Sequence, residues 1–459
     1  MLDRQLCALP DQSELRPVFG SRLPAVGQLA LLVRDRHGRE RRLMNRFGQA
    51  TFINVFGRNL VIFGTADAAE TIALNREKNF ESAGAWDHLI GSRFKRGLLL
   101  MDFSEHRLHR SIMQQAFTNA RLQGYLREMA GMLGDRVRSI PAGDIQLAAE
   151  FKSIILDVAL KVFVGVTLSR HEADRINQAF VDSLDSLGAA VRYAVPGGKW
   201  ARGIRGRTEL EKFFYGLIPS KRATETPDLF SVLCHARSEE GAVFSDEDVV
   251  NHMIFLLFAA HDTSAVTIST MAFYMAKHPE WQVRARERAL SMTALPEYSS
   301  LAEMSELDLI FREATRLNAP VPGVVRQVRE DAVIDGYLVP KGSIVMASTF
   351  SVHTNPRYWT KPETFDPTRF APERAEEKTH RYAWMPFGGG VHKCIGLYFA
   401  QMEIKTILHN LLRDYEWSIP DGQQWRERPG SLGEPKDGLR VTIRRLRPAQ
   451  HAAPAVVAK

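Results

Sequence analysis

Cys394 is one of three cysteines in 459 residues, and it stands inside the stretch "MPFGGGVHKCIGLYF", residues 385–399. A lone cysteine is most often a small buried hydrophobe. Its neighbours here favour another use. Gly388, Gly389, Gly390 and Gly396 permit backbone conformations closed to other residues and let the chain approach a flat group closely. The amphipathic run "YFAQMEIKTILHNLL" follows at once, so the positive end of a helix dipole and its free amides favour a thiolate at Cys394. A thiolate held in such a loop is a ready metal ligand.

A second set of residues suits proton handling. Ala259, Ala260, Thr263 and Ser264 form a seam of small side chains at helical spacing, which by itself more often means tight helix packing. Asp262 inside the seam changes that reading, because a buried carboxylate needs a partner or a task and the adjacent hydroxyl of Thr263 offers one. Glu313 and Arg316 stand three apart in "REATRL", the spacing of a helix ion pair worth ~0.2 to 0.5 kcal/mol at a surface. Each of the cations His106, Arg110, Arg326 and His392, taken singly, reads as a solvated surface group.

The elements that must carry these residues are mostly helices. "DAAETIALNREKNF", "SEHRLHRSIMQQAF", "ELEKFFYGLI" and "YFAQMEIKTILHNLLRDY" place apolar residues three or four apart. "TFINVFGRNLVIFG" has the content of a β-hairpin, and "AVIDGYLVPKGSIVMAS" and "GLRVTIRRL" supply further strands. The longest helix starts at the Ser245 and Asp248 capping signature and stops before Pro279, a span of ~32 residues and about 48 Å. Its apolar middle carries Asp262, and a charge at a bilayer centre costs ~3 kcal/mol on insertion scales, so a buried core helix is expected. The chain reads as mainly α with a small β part, one domain over residues 1–446 followed by a flexible tail at 447–459.

The spacing Phe387, Gly390, Cys394, Gly396 is FxxGxxxCxG, and in it the chain resembles the cytochrome P450 family. The resemblance extends from about Leu23 to Leu446 and implies the fold of that family, with haem between a long central helix and a cysteine loop. It implies haem b as cofactor and Cys394 as the iron ligand, whose sulfur pushes electron density toward O–O cleavage. Phe387 would pack against that sulfur, and Gly388 and Gly396 would line the haem. "AAHDTS", residues 259–264, looks like the family's oxygen-binding segment, so Ala259 and Ala260 would face the haem. Thr263 would hydrogen-bond the bound oxygen and Asp262 would feed protons to it. Ala260 departs from the usual glycine, which bears on the local bend of the helix and the shape of the pocket. Glu313, Arg316 and the Arg369 of "FDPTRF" resemble the family's scaffold triad, and His106, Arg110, Arg326 and His392 would face the haem propionates. His392 stands where many relatives carry arginine.

Taken together, these features imply a haem-thiolate monooxygenase acting on O₂ and a bulky lipophilic substrate such as a sterol, terpenoid or fatty acid. The rivals are a peroxide-driven or rearranging haem-thiolate enzyme and a non-catalytic haem sensor. The chain has no room for a flavin reductase, so electrons would come from a ferredoxin and its reductase, docking on a basic face of Lys393, Arg107 and Lys405. The net charge of +7 could also serve a nucleic acid. The basic runs starting at Val33 and Lys199 are interleaved with acids or glycines, though, and suit solvated helix faces or loops. The three cysteines fit no disulfide framework, and no signal peptide or transmembrane anchor is evident. A cytoplasmic protein is expected, with peripheral association with a membrane left open.

Overall fold

The computed structural model describes residues 3–21, 35–55, 57–166, 168–189 and 192–446, so the expected tail at 447–459 lies outside the described residues. The chain divides into two compact units. The first comprises Met1–Arg107, Thr315–Cys394 and Pro429–Ser431, and the second Leu108–Ala314, Ile395–Arg428 and Leu432–Lys459.

The first unit holds the larger sheet. Strands Ala50–Val55 and Arg58–Phe63 form the expected antiparallel hairpin, with Ala50 opposite Phe63. Ile344–Ser348 lies parallel to Arg58–Phe63 and antiparallel to Gly323–Val328, in a register that sets Val345 opposite Arg326. Asp3–Gln5, Phe19–Ser21 and Phe80–Glu81 complete a seven-stranded sheet. Phe52, Val61, Phe63 and Val345 are buried on it, and so are Ala69 and Ile72 of the helix Ala66–Leu74.

That helix is shorter than the periodicity of "DAAETIALNREKNF" suggests. Asn75 adopts a left-handed conformation, and its side chain bonds both the amide and the carbonyl of Phe80, which redirects the chain into a strand. A polar side chain that closes a local turn outcompetes continued helix.

The second unit is helical around Asp246–Lys277, which has the expected 32 residues. The amide of Asp248 donates to Ser245 Oγ at 3.1 Å and the Ser245 hydroxyl donates to the Asp248 carboxylate at 2.7 Å, closing the cap. Pro279 opens the next helix, Pro279–Ser291. Leu147–Val158 and Leu397–Asp414 pack against the long helix. Among the described residues it alone is long and apolar enough to cross a membrane by length and composition, and 72% of that window is buried inside the protein. A sheet of Gly143–Gln146, Tyr415–Ser418 and Arg440–Arg445 flanks these helices. Tyr415 leaves the helical pattern because its hydroxyl donates to the buried carbonyl of Ile140 at 2.8 Å.

The basic runs are not simply solvated faces. In the helix Arg36–Phe47, Arg39 and Glu40 are buried, and Glu40 accepts from the Ser351 hydroxyl. In Lys199–Ala223, Arg207 is buried against Glu211 at 2.8 Å and against Asn251. Burial of a charge requires such partners.

Candidate haem site

The cysteine loop is shaped by backbone sterics. Gly388 and Gly390 have φ of 66° and 61°, where a side chain is strained, and a Cβ on Gly390 would stand 1.9 Å from the Ala73 carbonyl oxygen. The amide of Cys394 donates to the Phe387 carbonyl at 3.0 Å, which closes the loop three residues before the helix Leu397–Asp414. Cys394 is exposed and takes part in no disulfide. Gly396 differs from the other glycines. Its φ of −87° is open to any residue and a Cβ on it would meet nothing of the chain, so neither backbone strain nor packing within the protein calls for glycine there.

His353 anchors this loop from behind. Its Nε2 accepts from the Met385 amide at 2.9 Å, so Nδ1 carries the proton and donates to the Arg316 carbonyl at 3.0 Å. Burial, followed by the Arg316 charge, lowers its pKa to about 3 and keeps it neutral. Arg316 in turn donates to the carbonyls of His353 at 2.6 Å and Pro362 at 2.7 Å, and lies over Trp359. Arg369 donates to the Lys361 carbonyl at 2.8 Å and meets Glu376 at 3.1 Å, and both arginines bond the Thr364 carbonyl. Glu313, like both arginines, is fully buried, so none of the three is the surface group that spacing alone suggests. Glu376 is an acid of the scaffold that the sequence did not reveal.

Beside the loop, three of the four expected cations converge on Asp102. The His392 Nε2 is 3.6 Å from the Asp102 carboxylate, and its ring lies 3.9 Å from that of His106. Asp102 also accepts from the amides of Ser82 at 2.8 Å and Ala83 at 2.9 Å. Burial pushes its pKa up, but the His392 contact and the two amides outweigh burial and hold the carboxyl below its usual range. Arg326 is 4% exposed. Its one side-chain hydrogen bond among the described residues goes to the Val325 carbonyl, and burial depresses its pKa to about 10 against the weaker opposing pull of Asp102. A buried guanidinium so thinly neutralised calls for an anion. Arg110 follows His106 by one turn on the helix Phe103–Gln114. A charge within the apolar "LLLMDF" was the signal that could have singled out Asp102.

In the second unit, Phe258, Ala259, Ala260, Asp262 and Thr263 are half-buried, while most of the long helix on either side is buried. The packing opens where the oxygen-binding segment was expected. Ala260 leaves the helix unbroken. The Thr263 hydroxyl donates to the Ala259 carbonyl at 2.6 Å, an i−4 bond of the kind that bends helices. Asp262 Oδ1 lies 2.9 Å from His261 Nδ1 and 3.5 Å from Lys152 Nζ. Burial raises the Asp262 pKa, yet His261 and Lys152 together outweigh burial and lower it, so the carboxylate is ionised. Lys152 also meets Glu434, which meets Arg428. Glu403, on the helix that follows the cysteine loop, is fully buried beside Ser264, and burial pushes its pKa up to about 8 against that hydrogen bond. Nothing in the sequence marks Lys152, Glu403 or Glu434, since each is a single polar residue whose setting comes from distant segments.

One expectation fails outright. Lys405 belongs to no docking face, because it is buried with its ammonium 2.9 Å from Asp308. Lys393 and Arg107 are exposed in the first unit.

These residues fit haem. The exposed Cys394 in its glycine loop offers an iron ligand, the under-neutralised Arg326 offers a partner for a carboxylate, and Gly396 leaves room that the chain does not use. Among the described residues no group of three His, Cys, Asp or Glu could hold a metal by itself. The class defined is a thiolate-ligated haem enzyme. The family model for cytochrome P450 matches residues 17–442. "Putative cytochrome P450 136" of Mycobacterium tuberculosis is 41% identical, over 96% of this chain and 91% of that protein. Human cytochrome P450 26C1 is 26% identical over 88% of this chain and 84% of its own length. The solved structure described as retinoic acid bound cyanobacterial CYP120A1 superposes with a TM-score of 0.82 at 25% identity, covering 93% of this chain and 99% of that one. The chain belongs to the cytochrome P450 family. It has that family's fold, binds haem b and is a monooxygenase, an oxidoreductase.

Proposed function

We propose that this protein inserts one atom of O₂ into a bulky lipophilic substrate while the other leaves as water, using electrons from a ferredoxin and its reductase. The observation that carries this reading is that Phe258, Ala259, Ala260, Asp262 and Thr263 are half-buried in a helix whose flanking turns are mostly buried, which sets an acid and a hydroxyl side by side where the packing is incomplete. Bound haem supplies the iron at which O₂ is reductively activated. Cys394 would supply the thiolate ligand to the iron, with Phe387 beside the sulfur, and Gly388, Gly396, Ala259 and Ala260 would line the haem. His106, Arg110, Arg326 and His392 neutralise the propionates. Asp262 brings protons in from solvent, and the Thr263 hydroxyl, released from the Ala259 carbonyl, hands them on.

The aromatic Phe255 and Phe258 suit a sterol, terpenoid or fatty acid. The likeness to a structure named as retinoic acid bound favours an elongated isoprenoid acid within that range. A cytoplasmic setting is inferred. Against a peroxide-driven enzyme stands the relay itself, which peroxide chemistry needs less.

The test has two parts. The reduced carbon monoxide complex should give the spectrum of thiolate ligation, and Cys394→Ser should abolish it. With a lipophile that shifts the haem spin state, Thr263→Ala should consume reductant but return less product. Equal coupling in Thr263→Ala supports the peroxide-driven alternative, and no spin-state shift with any lipophile supports a sensor.

A further inference from the structure

Lys152 stands between two carboxylates. On one side is Asp262, at 3.5 Å, and on the other Glu434, which it approaches more closely. Glu434 is itself drawn upon by Arg428 from the solvent side, where Arg428 is half exposed. The hairpin that presents Glu434 is fixed by the Arg428 amide on the Glu434 carbonyl at 2.7 Å and by a bridge between Glu427 and Pro435. The charged and titratable groups around Asp262 are thus His261 on its own helix, Lys152 on Leu147–Val158, and Glu434 and Arg428 on the C-terminal hairpin. Phe180 covers His261 with an edge-on ring at 5.3 Å.

An ionised Asp262 held by an ammonium cannot turn inward or take up a proton until that ammonium lets go. How firmly Lys152 holds it depends on the competing carboxylate, since the attraction between charges a few ångströms apart is a matter of kcal/mol at protein-surface dielectrics. We propose that Glu434 is a positioning residue for proton delivery: by drawing Lys152 off Asp262, the C-terminal hairpin sets the rate at which Asp262 can carry a proton inward. The inference rests on the reading of Asp262 as the proton carrier. In each cycle Asp262 gains a proton from the solvent side and loses it toward Thr263, so the network returns to its starting charge.

Glu434→Gln removes the competitor, and Lys152 settles on Asp262. Turnover with a fixed substrate and ferredoxin system should fall by roughly three- to tenfold, the scale of up to one unit of carboxyl pKa, and the solvent deuterium isotope effect should rise. Glu434→Asp should keep the wild-type rate, and Lys152→Met with Glu434→Gln should restore it. Arg428→Gln, at an exposed position, should act in the opposite direction because Glu434 then holds Lys152 more strongly. A readout independent of turnover is NMR of ¹³C-labelled aspartate in the diamagnetic ferrous carbon monoxide complex. There Asp262 should titrate lower in Glu434→Gln and higher in Arg428→Gln. Equal haem content guards against misfolding. If Asp262→Asn slows turnover while Glu434→Gln changes neither rate, isotope effect nor titration, this inference is wrong and the relay stands. If Asp262→Asn changes nothing, the relay reading falls and the inference with it.

Discussion

At the residue scale, two buried titratable groups give the fold opposite responses to pH. Glu403 has an unfolded pKa of 4.5 and is raised to about 8 in the fold. Its Oε2 has no hydrogen-bond partner among the described residues, so the neutral form is the one the fold tolerates. Between those values the folded chain keeps a proton that the unfolded chain has lost. The stability it contributes is complete below 4.5 and declines as pH rises through 8. His353 is the converse, lowered from 6.5 to about 3. Its contribution is complete above 6.5 and declines as pH falls toward 3, because a second ring proton would displace the Met385 amide. Urea midpoints of the wild type should therefore drop on both sides of a maximum. Glu403→Gln should flatten the decline between pH 5 and 8, by an amount on the order of a few kcal/mol at most. His353→Gln should flatten the acid side and lower stability at neutral pH. A Glu403→Gln curve parallel to wild type above pH 5 would show that this carboxyl is not the source.

At the element scale, the cysteine loop contains two kinds of glycine. Gly390 is required by the chain itself, being in a left-handed conformation with its Cα against the Ala73 carbonyl. Gly390→Ala should destabilise the protein even without cofactor, by more than the ~1 kcal/mol of the backbone conformation alone. Gly396 is required by nothing in the chain. Gly396→Ala should leave the unfolding midpoint of the haem-free protein unchanged while lowering haem occupancy, measured by haem absorbance per protein. Equal haem loading in Gly396→Ala would remove this glycine from the haem surface. The same scale explains where the sequence reading of elements held and where it slipped. The long helix was legible end to end because both of its stops are local, the Ser245 cap and Pro279. The helix after Thr65 was overextended because the turn made by Asn75 depends on Phe80, five residues on and outside any helical period.

At the scale of the whole molecule, fewer of the expected docking cations are available to an electron donor than the sequence suggested. Lys393 and Arg107 remain exposed, whereas Lys405 is taken by Asp308. Charge reversal at Lys393 should weaken ferredoxin-driven turnover most at low ionic strength, with the difference from wild type shrinking as salt is added. Lys405→Met should leave the salt dependence unaltered and act on stability instead. A Lys393→Glu variant with wild-type turnover at every salt concentration would remove this face from docking.

The residues proposed for the haem site could be assigned from the sequence because ligand, glycine and helix start are set within a dozen positions, and chemistry fixes their types and spacing. Cys394, Thr263 and Asp262 could be named before any fold was known. Their surroundings could not. That Lys405 is buried, that Asp102 gathers Arg326 and His392, and that Glu434 competes for Lys152 all arise from segments tens to hundreds of residues apart. The preference of a charge for water or for a partner depends on what stands within a few ångströms of it, and only the tertiary structure decides that.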